Sequence, residues 1–304
     1  MTKSRPFLKS SAKCGLLLNI LIFACLFSGC SSSTAPTYLK ENIPQAIQDI
    51  CKKEYKIDVR AKLTGNTLWV YLAVEDILKP VGKSDKPEKY IERFALEQNK
   101  NIFENGAFRL NYNIKLVPEQ EKYQQEYQYN KSVMEKVNNT MMVIRRVLFS
   151  MDRKKAAEPK FFSIVAADIK NGFQIQQTSY YADLKKVSYG LIGVGEYQHR
   201  AIQDIAIEPR AIGDKEGLYL DYKDIGLGDF IIAQVQHRIK LKFGKPEAER
   251  GINIDKEIMW IMAYTVKIYD FKDFSEAEFN NRANNNTFTL NRQAILAGPV
   301  EKRF

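Results

Sequence analysis

Histidine is almost missing from this 304-residue chain, which has only His199 and His237. A hydrolytic zinc site wants two or three nitrogen ligands held close together, and no His-Glu-x-x-His occurs, so that chemistry has no motif here. The nucleophile signatures are missing as well: there is no Gly-x-Ser-x-Gly elbow and no Walker lysine, and the one Ser-x-x-Lys, Ser10 to Lys13, falls in the basic start of the chain. Gly190, Gly193 and Gly195 in "YGLIGVGEY" do not keep the spacing of a dinucleotide-binding turn. Acids are plentiful, yet Asp168, Asp183, Asp221 and Asp224 have no spacing that selects a catalytic pair. Of the two histidines, His199 has acids near it in sequence, Glu196 and Asp204, and is the better site candidate. No cofactor and no metal is implied.

Cysteine is scarce too, and three of the four residues, Cys14, Cys25 and Cys30, fall near the start of the chain. Long apolar runs are lacking: the best, Leu16 to Phe27, is interrupted by Asn19 and stops short of the ~18 residues a bilayer-spanning helix needs. Ahead of it stand Lys3, Arg5, Lys9 and Lys13, no acid occurs before Glu41, and the small pair Ser28-Gly29 closes the run. A basic start, a short apolar middle and a small-residue exit make the layout of a secretory signal.

Within that layout, "LFSGC" followed by "SSST" resembles the lipobox of bacterial lipoproteins. The resemblance implies that Cys30 becomes the first residue, carrying acyl chains that tether the protein to a membrane. It departs from the usual pattern at Phe27, where leucine is common, although Leu26 stands beside it. Multiple acyl chains make a durable anchor, at about 0.8 kcal/mol per buried methylene. Ser31, where an inner-membrane retention aspartate would stand, implies by the same resemblance the periplasmic face of a Gram-negative outer membrane. The mature domain itself resembles no family.

The expected organisation is therefore a signal peptide at 1–29, a flexible tether at 30–38 containing "SSSTAPT", and a folded remainder. Loss of the signal removes four bases and no acid, so the formal charge falls from +10 to +6 and the mature surface is only mildly basic. The basic runs Arg145–Lys155 and His237–Lys245 read as solvated helix faces, and no nucleic-acid partner is expected. Cys51, alone after processing, has no internal disulfide partner. It recurs with Ile43, Ile47 and Ile50 at helical spacing, which predicts a buried thiol.

A hydrophobic content of 45% is ample for a core. After a helix at Ile43–Lys53, Tyr55, Ile57, Val59, Ala61 and Leu63 alternate up to Gly65-Asn66, and Leu68, Val70, Leu72 and Val74 alternate after it. That pattern predicts a β-hairpin with one face on the core. "KPEKYIERFALEQN" predicts a short helix, and Phe108 to Pro118 a strand extending the same sheet. A long helix is predicted from Glu119 to Met151, followed by a second hairpin turning at Asn171-Gly172. "GLYLDY" predicts a strand and "GDFIIAQVQHRIKLKF" a helix capped by Asp229. "IMWIMAYTVKIYDF", with Asp255 as candidate N-cap, is helix or strand, and two extended stretches flank Asn284 to Asn286.

Helix-plus-hairpin units of this kind predict an α+β fold, with antiparallel or mixed sheets packed against helices. The expected boundaries are an N-terminal α+β unit at 39–118 and a larger α+β region at 119–304, which together can form one continuous domain. The functional expectation is a non-enzymatic, lipid-anchored cell-envelope protein that binds an envelope protein partner or supports an assembly. The alternatives are an envelope hydrolase on glycan or peptide and a lipid- or ligand-carrying module.

Overall fold

Helix α1, Ile43–Tyr55, buries Ile43, Ile47, Ile50 and Cys51 on one stripe and ends where Lys56 turns left-handed at φ 57°. These positions come from a computed structural model that describes residues 38–83, 90–97, 100–120, 125–151, 158–245, 248–249 and 251–298. The expected signal peptide, Cys30 and all but Tyr38 of the tether lie outside the described residues. Strands β1, Arg60–Thr64, and β2, Thr67–Val74, follow α1 and pair antiparallel across Gly65-Asn66, with Gly65 at φ +57°. This is the first predicted hairpin, and Leu68, Val70, Leu72 and Val74 are all buried.

The chain then leaves that sheet by a two-stranded ribbon that leads into a second sheet. Strand β3, Leu78–Lys83, pairs with β7, Gln125–Tyr129, and β4, Tyr90–Glu97, pairs with β6, Ala107–Gln120, while β5, Ile102–Glu104, returns on β6. Two expectations fail here. Tyr90–Glu97 is a strand rather than part of a helix, with half-buried Phe94 and Leu96 alternating with exposed Arg93, Ala95 and Glu97. The polar stretch before Asn130 is also extended, so the long helix begins only at Lys131.

Helix α2, Lys131–Phe149, is capped by the Asn130 side chain and packs on α1 through Val143, Ile144 and Val147. Strands β8, Phe161–Asp168, and β9, Phe173–Tyr180, form the second predicted hairpin. Helices α3, Tyr181–Ser188, and α4, Val194–Arg200, lead into β10, Ile202–Ile207. The first sheet runs β1-β2-β8-β9-β10, antiparallel except where β2 lies parallel to β8. One face packs on α1 and α2; the other carries Trp69, Tyr71, Val165 and Ala167 under a loop that includes Tyr219 and Tyr222. The predicted strand "GLYLDY" belongs to this loop, where Tyr219 hydrogen-bonds Gln174 at 2.6 Å and Tyr222 the Gly217 carbonyl at 3.0 Å.

Helix α5, Leu227–Phe243, starts at Gly226 without a side-chain cap, and Asp229 sits inside its first turn rather than before it. Helix α6, Ile254–Ile268, resolves the ambiguity of its apolar run, and its cap is Asn253, whose side chain accepts from the Lys256 amide at 3.0 Å, rather than Asp255. Strands β11, Glu276–Asn281, and β12, Asn286–Asn291, pair as expected, and α7, Arg292–Ala297, closes the described chain. The second sheet runs β12-β11-β6-β4, with β6 and β11 parallel. Phe108, Leu110, Tyr112 and Ile114 of β6 face Ile231, Val235 and Met262 of the helices there. Strand β6 thus belongs to this sheet and does not extend the first, as its nearness in sequence had suggested. The protein is α+β, and both sheets draw strands from either side of Pro118.

Candidate functional site

Three arrangements stand out against the packed cores. The first is a charged cluster at the seam between the two sheets. Asp183, 1% exposed, accepts from Arg200 at 2.9 Å, and Arg200 also donates to Glu196 at 2.7 Å. Burial works against the charge of Arg200, but Glu196 and Asp183 outweigh it and raise its pKa. Tyr264 donates to Glu196 at 3.3 Å and lies 4.9 Å beneath the Arg238 guanidinium. Arg238, which the sequence places on a solvated face, is 1% exposed, and burial lowers its pKa. Its neighbour His237 is buried as well, and desolvation brings its imidazole down to about 4. The signal for Arg238 was its place: it stands four residues after Gln234, beside the apolar stripe of Ile231, Val235 and Ile239.

His199 lies on the exposed side of this seam and does not gather its acids. Glu196 is taken by Arg200 and Tyr264, and Asp204 by Lys240 at 2.8 Å. The His199 carbonyl instead accepts from the buried Gln234 amide at 2.8 Å, tying α4 to α5. The seam therefore reads as a polar fastening. Among the described residues, no group of three or more His, Cys, Asp or Glu side chains is placed to hold a metal ion.

The second arrangement is a pair of hollows in the second sheet region. One, about 40 Å³, lies between β6 and α5 beside Tyr112 and Ile239, with room for little more than water. The other is a shallow cleft of about 570 Å³ beside Asn105, Asp273, Ser275 and Arg292. Arg292 is committed there to the Lys272 carbonyl at 2.8 Å, and Ser275 to the Gly106 carbonyl.

The third arrangement is the β10 edge of the first sheet. Leu72, Ala166, Ile175 and Ile205 form one row straight across β2, β8, β9 and β10 on the helix-covered face. Their exposures are 1%, 1%, 8% and 52%, so the core-facing side of the sheet continues onto β10 and comes out uncovered. Ile207 extends it at 75% exposure, opposite half-buried Phe173, and Ile212, 57% exposed, lies over Gly172. The backbone edge is open too. The Glu208 amide donates to Gly172 at 2.7 Å, so alternation turns Ile202, Asp204 and Ala206 toward β9 and turns Gln203, Ile205 and Ile207 outward. Among the described residues, no strand pairs with that outer side.

The opposite edge of the same sheet is protected. Gln48 of α1 accepts from the outward Ala61 amide of β1 at 2.9 Å, Arg60 pairs with Asp58 and Glu216, and Lys62 sits over the Tyr222 ring. Lysine, arginine, proline and bulges are the usual means of blunting an edge. Strand β10 has none of them, and Asp204, its single charge, is held by Lys240 on the other face. Sequence reading passed over "IQDIAI". Its signal was β-branched Ile202, Ile205 and Ile207 before Pro209, with no base among them.

No family model matches the chain, and no curated protein or solved structure shows significant similarity to it.

Proposed function

We propose that this chain is a lipid-anchored cell-envelope protein, tethered through acyl chains on Cys30, which docks an envelope protein on the β10 edge. The anchor rests on the resemblance of "LFSGC" to a lipobox. The placement on an outer membrane rests on Ser31 after the cysteine. Among the described residues no helix is long and apolar enough to cross a membrane.

The row Leu72–Ala166–Ile175–Ile205, buried at one end and bare at the other, carries the docking function. An incoming strand finds hydrogen-bonding groups for its backbone and exposed isoleucines for its side chains, which is how strand addition gains affinity and register. The test combines address and edge. A photo-crosslinking side chain at position 207, introduced in intact cells, is expected to trap an envelope protein, whereas the same group at Lys62 traps none. In parallel, Cys30→Ser is expected to abolish palmitate incorporation. Equal trapping at both edges refutes the docking site, and unchanged palmitate labelling refutes the anchor.

A further inference from the structure

We propose that the occupant of the β10 edge is a second copy of this chain, its β10 antiparallel to the first about a twofold axis at Ile205. This deepens the docking function proposed above and rests on it.

The edge is self-complementary. Three residues turn outward, with Ile205 in the middle and Gln203 and Ile207 on either side. Antiparallel pairing at Ile205 sets it opposite its own copy and sets each Gln203 opposite the other copy's Ile207. About six backbone hydrogen bonds then form, and every outward amide and carbonyl of the three residues is satisfied. No like charges stand directly opposite each other. Asp204, already neutralised by Lys240, falls opposite Ala206, and the other paired residues are uncharged. The two Asp204 side chains lie diagonal to each other across the axis, and each is paired with its own Lys240 at 2.8 Å.

The apolar row is completed by the same operation. It continues from Ile175 and Ile205 of one copy to Ile205 and Ile175 of the other, so the exposed isoleucines cover each other. Lys240 reaches Asp204 from the opposite face of the sheet and leaves the edge clear. The axis stands perpendicular to the joined sheet, so α1 of both copies lies on the same face. Chains tethered at their N-termini to one membrane can therefore pair without inverting.

The test uses the mature lipoprotein purified in detergent. Opposed residues in such a pair have Cα atoms roughly 5.5 Å apart, within disulfide range. Oxidised Ile205→Cys is expected to run mostly as a covalent dimer and Lys62→Cys as monomer. Sedimentation of the unmodified protein is expected to give a dimer, and Ile207→Lys is expected to halve its mass. Monomer at every concentration, or equal crosslinking at both edges, overturns the proposal. Monomeric protein that still traps a different envelope protein at position 207 overturns self-pairing alone and leaves the docking function standing.

Discussion

The core under the first sheet and the seam between the sheets are made of opposite materials. The core joins α1, α2, β2 and β8 with isoleucine, valine, leucine and phenylalanine, and Cys51 is its one thiol. The seam joins α3, α4, α5 and α6 with Asp183, Arg200, Gln234, His237, Arg238 and Tyr264. Apolar packing gains its energy from area and tolerates exchange of one side chain for another of like volume. Hydrogen-bonded ions have few acceptable geometries, and breaking one partner strands the other in low dielectric. The molecule thus gains stability from its cores and fixes the setting of its helices at the seam.

The largest effect follows from breaking that seam. Arg200→Ala leaves Asp183 buried with its main cation gone, and a loss of about 3–5 kcal/mol is expected in chemical denaturation. Arg200→Lys is expected to recover only part of it, because one ammonium cannot serve both Asp183 and Glu196 as the planar fork does. A loss below 1 kcal/mol would make the seam no different from a surface ion pair.

The next effect depends on pH. The imidazole of His237 is pushed down to about 4, so between its ordinary pKa and that value the unfolded chain binds a proton that the folded chain refuses. The stability gained by keeping His237 neutral is therefore full above pH 6.5 and is lost as pH falls toward 4. His237→Leu is expected to flatten the curve over that interval. Asp168 keeps out of the way. Burial raises it, but hydrogen bonds from Asn171, Ile77 and Lys170 outweigh burial and hold it low, so its contribution fades only below its ordinary 3.8. A slope that survives His237→Leu would move the pH sensitivity out of the seam.

The smallest effect tests the dryness of the core. Cys51 is fully buried, and desolvation raises its thiol to about 11. A maleimide is expected to leave it unmodified in the native protein and to label it at once in denaturant. Rapid native labelling would show that the core between α1 and α2 opens readily.

Much of the fold was legible because local rules decide it. The Gly65-Asn66 and Asn171-Gly172 turns fall between alternating strands, and the Ile43, Ile47, Ile50, Cys51 stripe has a helical period; both hairpins and the helix form, although the helix runs on through Tyr55 and the first strand starts at Arg60 rather than at Tyr55. Tyr90–Glu97 was misread because Glu, Arg, Ala and Leu favour helix in isolation, whereas pairing with β6 from Asn113 to Gln120 imposes a strand. Composition hid the period. The pairing of β6 with β11 was invisible for a different reason: nothing in either strand records which distant segment will lie beside it. Of the candidate site, His199 was visible by residue type yet its acids were spoken for. The β10 edge was visible only as an absence of base, which acquires meaning once the strand order makes it an edge.

The order of the strands has a consequence for how the molecule is made. Because β3 to β7 are inserted between β2 and α2, Thr67 on β2 waits for Phe161 on β8, and Ala107 on β6 waits for Glu276 on β11. Closing such distant parallel pairs costs loop entropy before any contact repays it, which slows folding. As the chain is made the N-terminal hairpin emerges first with its apolar face bare, and neither sheet can close until late strands arrive. The length of chain between β2 and β8 therefore sets how long the first sheet stays open.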